Sequence, residues 1–388
     1  MIKIKNKEKC CGCHACVNIC PQKAIRMQED EKGFKYPVVD KEKCIECRLC
    51  EKVCPMLKNT INNYEKKVYA AMNKNKNERI NSSSGGIFSL LAKEILNRKG
   101  IVFGAAFDKD FNVNHVYIDD IKDINKLQGS KYVQSNINDS YKKVKEYLNK
   151  DKFVLFTGTS CQIEGLKSYL MKDYEKLYTQ DIICHGVPSP KVWQKYLEYQ
   201  KKLNKENIKS ISFRNKDHGW NLYQTKILFD TKTYSNEHSK DLFMQAFLKN
   251  SCLRESCYNC HFKNNYRNSD ITLADFWGIK KFHPNMNDDK GTSAIIINSQ
   301  KGEELFNVIK DDCIYVKSKI KYIHMYNSAY IKSVSKDKKY PELYDNLDIE
   351  NFDVLVDKHI SKIQLHKKII IKIKSIVKKV LVYLKVIS

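Results

Sequence analysis

Eight of the nine cysteines in the first 54 residues fall into two copies of one run, C-x2-C-x2-C-x3-C-P. Cys10, Cys13, Cys16 and Cys20 precede Pro21, and Cys44, Cys47, Cys50 and Cys54 precede Pro55. The spacing lets three thiolates of one run wrap a corner of a 4Fe–4S cube, while the fourth, beside its proline, ligates the cube of the other run. One cluster would take Cys10, Cys13, Cys16 and Cys54; the other would take Cys44, Cys47, Cys50 and Cys20. Zinc needs only four ligands per site and has no use for the paired prolines. A disulfide framework belongs to exported chains, and no charged, apolar and cleavable segment precedes Cys10. The chemistry expected is single-electron transfer, in the reducing cytoplasm of an anaerobic cell.

Six cysteines lie further on: Cys161, Cys184, Cys252, Cys257, Cys260 and Cys313. Cys161 and Cys184 each follow an expected strand, which places them at one edge of a parallel sheet, where α/β proteins build their sites. Cys257 and Cys260 form a C-x2-C in a polar loop. Those four make a full set for a third cube. The run Cys252-x4-Cys257-x2-Cys260 also has plant-type two-iron spacing, with Cys313 as a fourth ligand. Spacing alone leaves both readings open.

Periodicity gives the elements that must hold these residues. Residues 1–60 read as a two-cluster ferredoxin domain whose halves repeat at 34 residues, counting Cys10 to Cys44. Residues 68–72 and 101–107 read as strands flanking a helix with an apolar face of Ile87, Phe88, Leu90, Leu91, Ile95 and Leu96, closed by Gly100. Residues 153–156 form a strand that breaks at Thr157, Gly158 and Thr159 and continues as a helix through Leu166 and Leu170. Residues 178–183 are the next strand, residues 208–229 alternate as antiparallel strands, and 271–274 and 294–297 add more. The fold class expected is mixed, α+β / α/β. The domains expected are the ferredoxin fold at 1–60, an N-terminal α/β part of the body at 61–150, a cluster- and flavin-bearing part at 151–350, and a basic amphipathic helix at 351–388.

Ser84, Gly85 and Gly86 form a small-residue turn entering a helix, an arrangement that offers backbone N–H groups to a phosphate. A plain capped helix explains it as readily. Thr157, Gly158 and Thr159 make a second such turn. Electron carriers beside two such turns suggest a flavin, which exchanges electrons singly or in pairs.

The stretches SSSGGIFSLLAKEIL, GSKYVQS, FTGTSCQIEGLKSYL, DIICHGVPSPKVW, FRNKDHGW and CYNCHFKNNYRNSDITLADFWGI resemble the coenzyme F420 hydrogenase/dehydrogenase beta-subunit family, over roughly the first 300 residues. The resemblance implies an iron–sulfur flavoprotein oxidoreductase, with FAD rather than FMN, and a body cluster on Cys161, Cys184, Cys257 and Cys260. Cys11, Cys252 and Cys313 are then extra. The flavin would lie against Ser84, Gly85, Gly86, Lys131, Tyr132, Thr157, Gly158 and Thr159, with Lys131 stabilising its reduced anion. His185 and Asp275 would donate protons or hold a loop. Ser160 stands where the family usually carries a proline.

Electrons would then run from the ferredoxin clusters through the body cluster to FAD and on to a small-molecule substrate. Relatives with this layout often accompany surface-polysaccharide genes, so a glycan-related substrate is one expectation. The alternatives are a coenzyme F420-dependent subunit and a non-catalytic electron-transfer subunit serving a partner enzyme. A redox partner protein or reduced ferredoxin is expected, and an oligomer is compatible with the sequence.

The formal charge of +24 raises nucleic-acid binding, yet 62 of the 69 basic residues are lysine. Base readout and bidentate phosphate contacts favour arginine, and no nucleic-acid motif accompanies the charge, so no nucleic-acid partner is expected. From Leu365 onward, lysines and isoleucines alternate on two helical faces without an acidic residue. Such a helix suits an anionic membrane at the inner face, the protein's own core, or a second subunit.

Overall fold

The computed structural model describes residues 1–58 and 61–360. Thirteen strands run through the described residues. β1 (Ile25–Glu29) and β2 (Lys35–Val39) lie in the cysteine-rich module. β3 (Lys67–Asn73), β4 (Ile101–Phe107), β5 (Val113–Ile118), β6 (Val154–Thr159) and β7 (Leu177–Ile182) follow in the body. β8 (Ile208–Asn215), β9 (Gln224–Phe229) and β10 (Thr233–Glu237) form a separate antiparallel sheet. β11 (Ile271–Asp275), β12 (Ser293–Ile297) and β13 (Cys313–Ser318) return to the main one.

In the module, β1 and β2 make an antiparallel hairpin, and each cysteine run opens a short helix, Ala15–Ile19 or Leu49–Lys52. Each helix is entered through a left-handed residue, His14 (φ 63°) or Arg48 (φ 59°). Two positions earlier, Gly12 (φ 69°) and Glu46 (φ 53°) are left-handed as well. Both pairs keep the 34-residue offset of the cysteines, so the repeat is one of backbone as well as of sequence. Left-handed residues at these turns can aim successive N–H groups inward, as an anionic cluster requires.

The main sheet has the order β13-β3-β12-β11-β7-β6-β4-β5. β11, β7, β6 and β4 are parallel neighbours. β12 runs antiparallel to both β11 and β3, so β3 points the same way as the parallel block. The carboxyl ends of five strands therefore share one edge. β4 pairs with β6 and β3 with β12, so segments 61–150 and 151–350 build one continuous sheet. β12 is buried along its whole length, as a strand covered on both faces must be. Helix Ile87–Asn97 packs Leu90, Leu91 and Ile95 into the same core as Val102 of β4.

Helix Ser160–Leu170 leaves β6 without a connecting loop. Thr159 caps it through a capping box, its own N–H donating to Gln162 Oε1 at 2.9 Å. A second core, dominated by Trp193, Tyr196, Phe213 and Phe243, joins β8 and β9 to helix Pro190–Asn204. Helix Phe352–His359 closes the described chain by packing Phe352 on Tyr196. The basic helix expected from Leu365 onward lies outside the described residues. No described helix is long and apolar enough to cross a membrane.

Candidate functional site

The topology brings the cysteines into three groups. Among the described residues no three His, Cys, Asp or Glu side chains converge closely enough to hold a single ion. Each set of four expected cysteines instead rings a cavity. Cys20, Cys44, Cys47 and Cys50 line one of about 360 Å³ at the surface, where Cys47 is exposed. Cys10, Cys13, Cys16 and Cys54 line a second of about 340 Å³, and the first three of these are buried. Cys161, Cys184, Cys257 and Cys260 line a third, the largest at about 520 Å³. The exchange of the fourth cysteine between repeats is thus visible in the geometry.

Cys161 and Cys184 reach the third cavity because β6 and β7 are parallel neighbours, with Thr159 facing Ile182 at their carboxyl ends. Cys257 arrives from the other side. The segment after β7 and the segment before Cys257 form a short antiparallel bridge, Pro188 against Leu253. Gly186 permits that approach, since a Cβ there would stand 2.7 Å from Leu253 Cδ1. Polar hydrogens already point at the sulfurs. The Val187 N–H donates to Cys257 Sγ at 3.5 Å, and Thr159 Oγ1 lies 3.0 Å from Cys161 Sγ. Burial pushes the Cys184 thiol up to about 12. Cys161 goes the other way, to about 7, chiefly through a hydrogen bond with Cys11 and then with Thr159.

Cys11 is not a bystander in position. It lines both the second and the third cavity, as does Met56, so these two side chains form the wall between them. Gly165 sets how close the walls come: a Cβ there would lie 2.8 Å from Cys13 Cβ. Cys252 and Cys313 line none of the three cavities. Cys252 is fully buried in the aromatic core, and Cys313 donates to the Ile309 carbonyl at 3.4 Å.

Beside the third cavity, Ser160 donates to Asp181 Oδ2 at 2.6 Å, so the hydroxyl in place of a proline is engaged. Asp181 also pairs with Arg267 at 2.9 Å, both almost wholly buried, and accepts from Ser269 at 2.7 Å.

The turn residues occupy the same sheet edge. Ser83 Oγ lies 2.8 Å from Ser130 Oγ, which brings residues 83–86 against residues 129–132. The Gly85 N–H donates to Ser293 Oγ at 2.9 Å, and a Cβ on Gly85 would stand 2.5 Å from the Ala71 carbonyl. That glycine serves close packing over the ends of β3 and β12. Gly86 (φ 79°) starts the helix, whereas Gly129 (φ 78°) faces open space. Thr157 accepts from His115 Nε2 at 3.0 Å and donates to the Phe103 carbonyl at 2.9 Å. Gly158 packs on Gln162. Tyr132 stacks on Phe247.

His185 holds Asn250 Oδ1 through Nε2 at 2.7 Å. Asp275 accepts from Trp220 Nε1 at 2.8 Å and from Arg214 at 3.1 Å. Both polar groups are already engaged within the protein. Arg214 and Lys216, from the stretch FRNKDHGW, are functional candidates the sequence reading passed over. Lys216 Nζ donates to the carbonyls of Ser84 at 2.7 Å, Arg79 at 2.8 Å and Lys290 at 2.9 Å.

Lys131 Nζ donates only to carbonyls in the hydrogen bonds it makes, those of Gln128 at 2.7 Å and Lys126 at 3.1 Å. Burial pulls its ammonium down to about 7. The folded value lies below the unfolded one, so the folded chain sheds this proton first. Stability therefore rises with pH between about 7 and the ordinary 10.5. Lys216, also pulled to about 7 by burial, contributes the same sign. Lys131→Met is expected to reduce, without abolishing, the rise in denaturant midpoint from neutral to alkaline pH. An unchanged slope would place the Lys131 ammonium in water.

Comparison with known proteins agrees with this arrangement. Residues 151–321 match the family model for the C terminus of the coenzyme F420 hydrogenase/dehydrogenase beta subunit. Residues 9–57 and 43–89 match two models described as 4Fe–4S dicluster domains. No curated protein matches the chain. A chain in a solved structure of the F420-reducing [NiFe] hydrogenase complex from Methanosarcina barkeri is similar at 18% identity, covering 77% of this chain and 91% of that one, with a TM-score of 0.47. The chain is an iron–sulfur electron-transfer protein of the coenzyme F420 hydrogenase/dehydrogenase beta-subunit family, joining a 4Fe–4S dicluster domain to that family's C-terminal domain.

Proposed function

We propose that this protein is an iron–sulfur flavoprotein oxidoreductase that takes electrons from a redox partner protein and delivers them to a small-molecule substrate. Three 4Fe–4S clusters and FAD, when bound, would supply single-electron relay and its conversion to paired transfer. The observation that carries the reading is the third ring of four cysteines, separated from the second ring only by Cys11 and Met56. Four sulfurs held this deep are stable together as anions only against bound cations, which fits a cluster.

The chain's own residues divide the remaining work. The surface ring with exposed Cys47 is where a partner can approach. Cys10, Cys13, Cys16 and Cys54 lie inside it, and Cys161, Cys184, Cys257 and Cys260 open onto the sheet edge. There Ser84, Tyr132 and the neighbouring Lys131 surround the open face at Gly129. Lys131 meets no carboxylate in its hydrogen bonds, which suits it to an anionic group. Arg214 Nε, buried without a hydrogen-bond partner, adds a second donor near the loop of residues 83–86.

A second reading, a non-catalytic electron-transfer subunit, is favoured by the engagement of His185 and Asp275, which leaves neither an obvious free proton donor. Iron, acid-labile sulfide and released flavin per chain, on protein prepared without oxygen, separate the two. About twelve irons with flavin is the expected result, at four irons per ring of cysteines. Twelve irons without flavin would favour the second reading, and about eight without flavin would overturn both.

A further inference from the structure

Arg254 lies at the seam between the cysteine-rich module and the body, and it is fully buried. Its Nε donates to the Cys10 carbonyl at 2.8 Å, and one terminal nitrogen to Gln134 Oε1 at 3.0 Å. The other terminal nitrogen donates to the Lys35 carbonyl at 3.0 Å and approaches Cys10 Sγ at 3.6 Å. None of these acceptors is a carboxylate. Gly12, left-handed at φ 69°, makes room for the guanidinium: a Cβ there would stand 2.9 Å from Arg254 Cζ. The Arg254 carbonyl in turn accepts the Cys257 N–H at 2.9 Å, so one residue touches a sulfur of the second ring and fixes a cysteine of the third.

A buried cation costs several kcal/mol unless an anion faces it. The anions in reach are the cysteine sulfurs, and a reduced cluster on them would carry one more negative charge than an oxidised one. Hydrogen bonds and charge near the sulfurs set a cluster's potential. Building on the cluster assignment above, we propose that Arg254 is a positioning residue that raises the reduction potential of the cluster held by Cys10, Cys13, Cys16 and Cys54. The step it governs is the uptake of one electron by that cluster, with no proton and no bond made or broken. By holding that potential up, Arg254 makes the second ring the place where an electron arriving from the surface ring rests before it crosses to the body.

Anaerobic redox titration of the full reconstituted chain, followed by electron paramagnetic resonance, tests this. Arg254→Gln should move one midpoint to lower potential and leave the surface cluster's midpoint in place. Arg254→Lys, which keeps the charge, should return most of the shift. Gln134→Glu sets a carboxylate against the unaltered guanidinium and should lower the same midpoint without emptying the site. It decides alone if Arg254→Gln fails to hold iron. Unchanged midpoints in Gln134→Glu, or equal shifts in the Lys and Gln variants, would overturn the proposal. A wild-type chain with no iron at the second ring would instead overturn the cluster assignment beneath it.

Discussion

Cys257→Ser is expected to lose one cluster of three, iron falling from about twelve to about eight per chain, at four irons per ring. Cys257 sits in the 3-10 turn Glu255–Cys257 and is fixed from two directions. Its N–H is held by the Arg254 carbonyl, and its sulfur accepts from Val187. A serine oxygen there is shorter and poorly matched to iron, and the surrounding backbone is too well tied to follow it. Changes merely near a metal ligand typically cost about 10–100-fold in affinity or activity, so loss of the ligand itself should exceed that. Both dicluster signals should survive, because no cysteine from the first 54 residues contributes to that set of four. Iron, sulfide and paramagnetic resonance check the result, and an unchanged iron content would remove the body cluster.

The second large effect is on stability. Asp181→Leu should destabilise the fold by about 3–5 kcal/mol, the cost of leaving one partner of a buried ion pair behind. Arg267 and Asp181 are each at most 3% exposed. Asp181 also receives hydrogen bonds from Ser160, Ser269 and Thr272, all of which would lose their acceptor. Adding Arg267→Met to Asp181→Leu should recover part of the loss, since two apolar groups leave no stranded charge. Denaturant unfolding of the single and double variants measures both. A single-variant loss below about 1 kcal/mol would mean the pair is already screened by water.

Much of this was legible in the sequence, for definite reasons. Cysteine spacing fixes which sulfurs can share a cube. Strand periodicity put Cys161 and Cys184 at strand ends, and adjacent parallel strands then had to set them side by side. What could not be read was long-range contact. Cys11 looked redundant between two ligands, and only the packing of Gly165 on Cys13 shows it as a wall between two cavities. Asp275 looked free to donate a proton until Arg214 and Trp220 were seen to hold it. A signal for the missed cations was nevertheless present. In a chain that uses lysine almost everywhere, four of the seven arginines, Arg79, Arg214, Arg254 and Arg267, are buried. Where composition favours lysine, a retained arginine marks a place that needs a rigid fork of donors.

The gradient of exposure across the cysteine rings has a practical meaning for anyone handling the protein. Cys47 is open to solvent and Cys44 and Cys20 are half-open, whereas Cys10, Cys13 and Cys16 are covered. A diffusing oxidant or alkylating reagent meets the outer sulfurs first, because attack follows access as well as thiolate character. Damage therefore proceeds from outside inward, and the first casualty is the station that receives electrons. A sample handled in air would keep its inner machinery while losing its inlet, and would be mistaken for an enzyme that simply has the wrong donor.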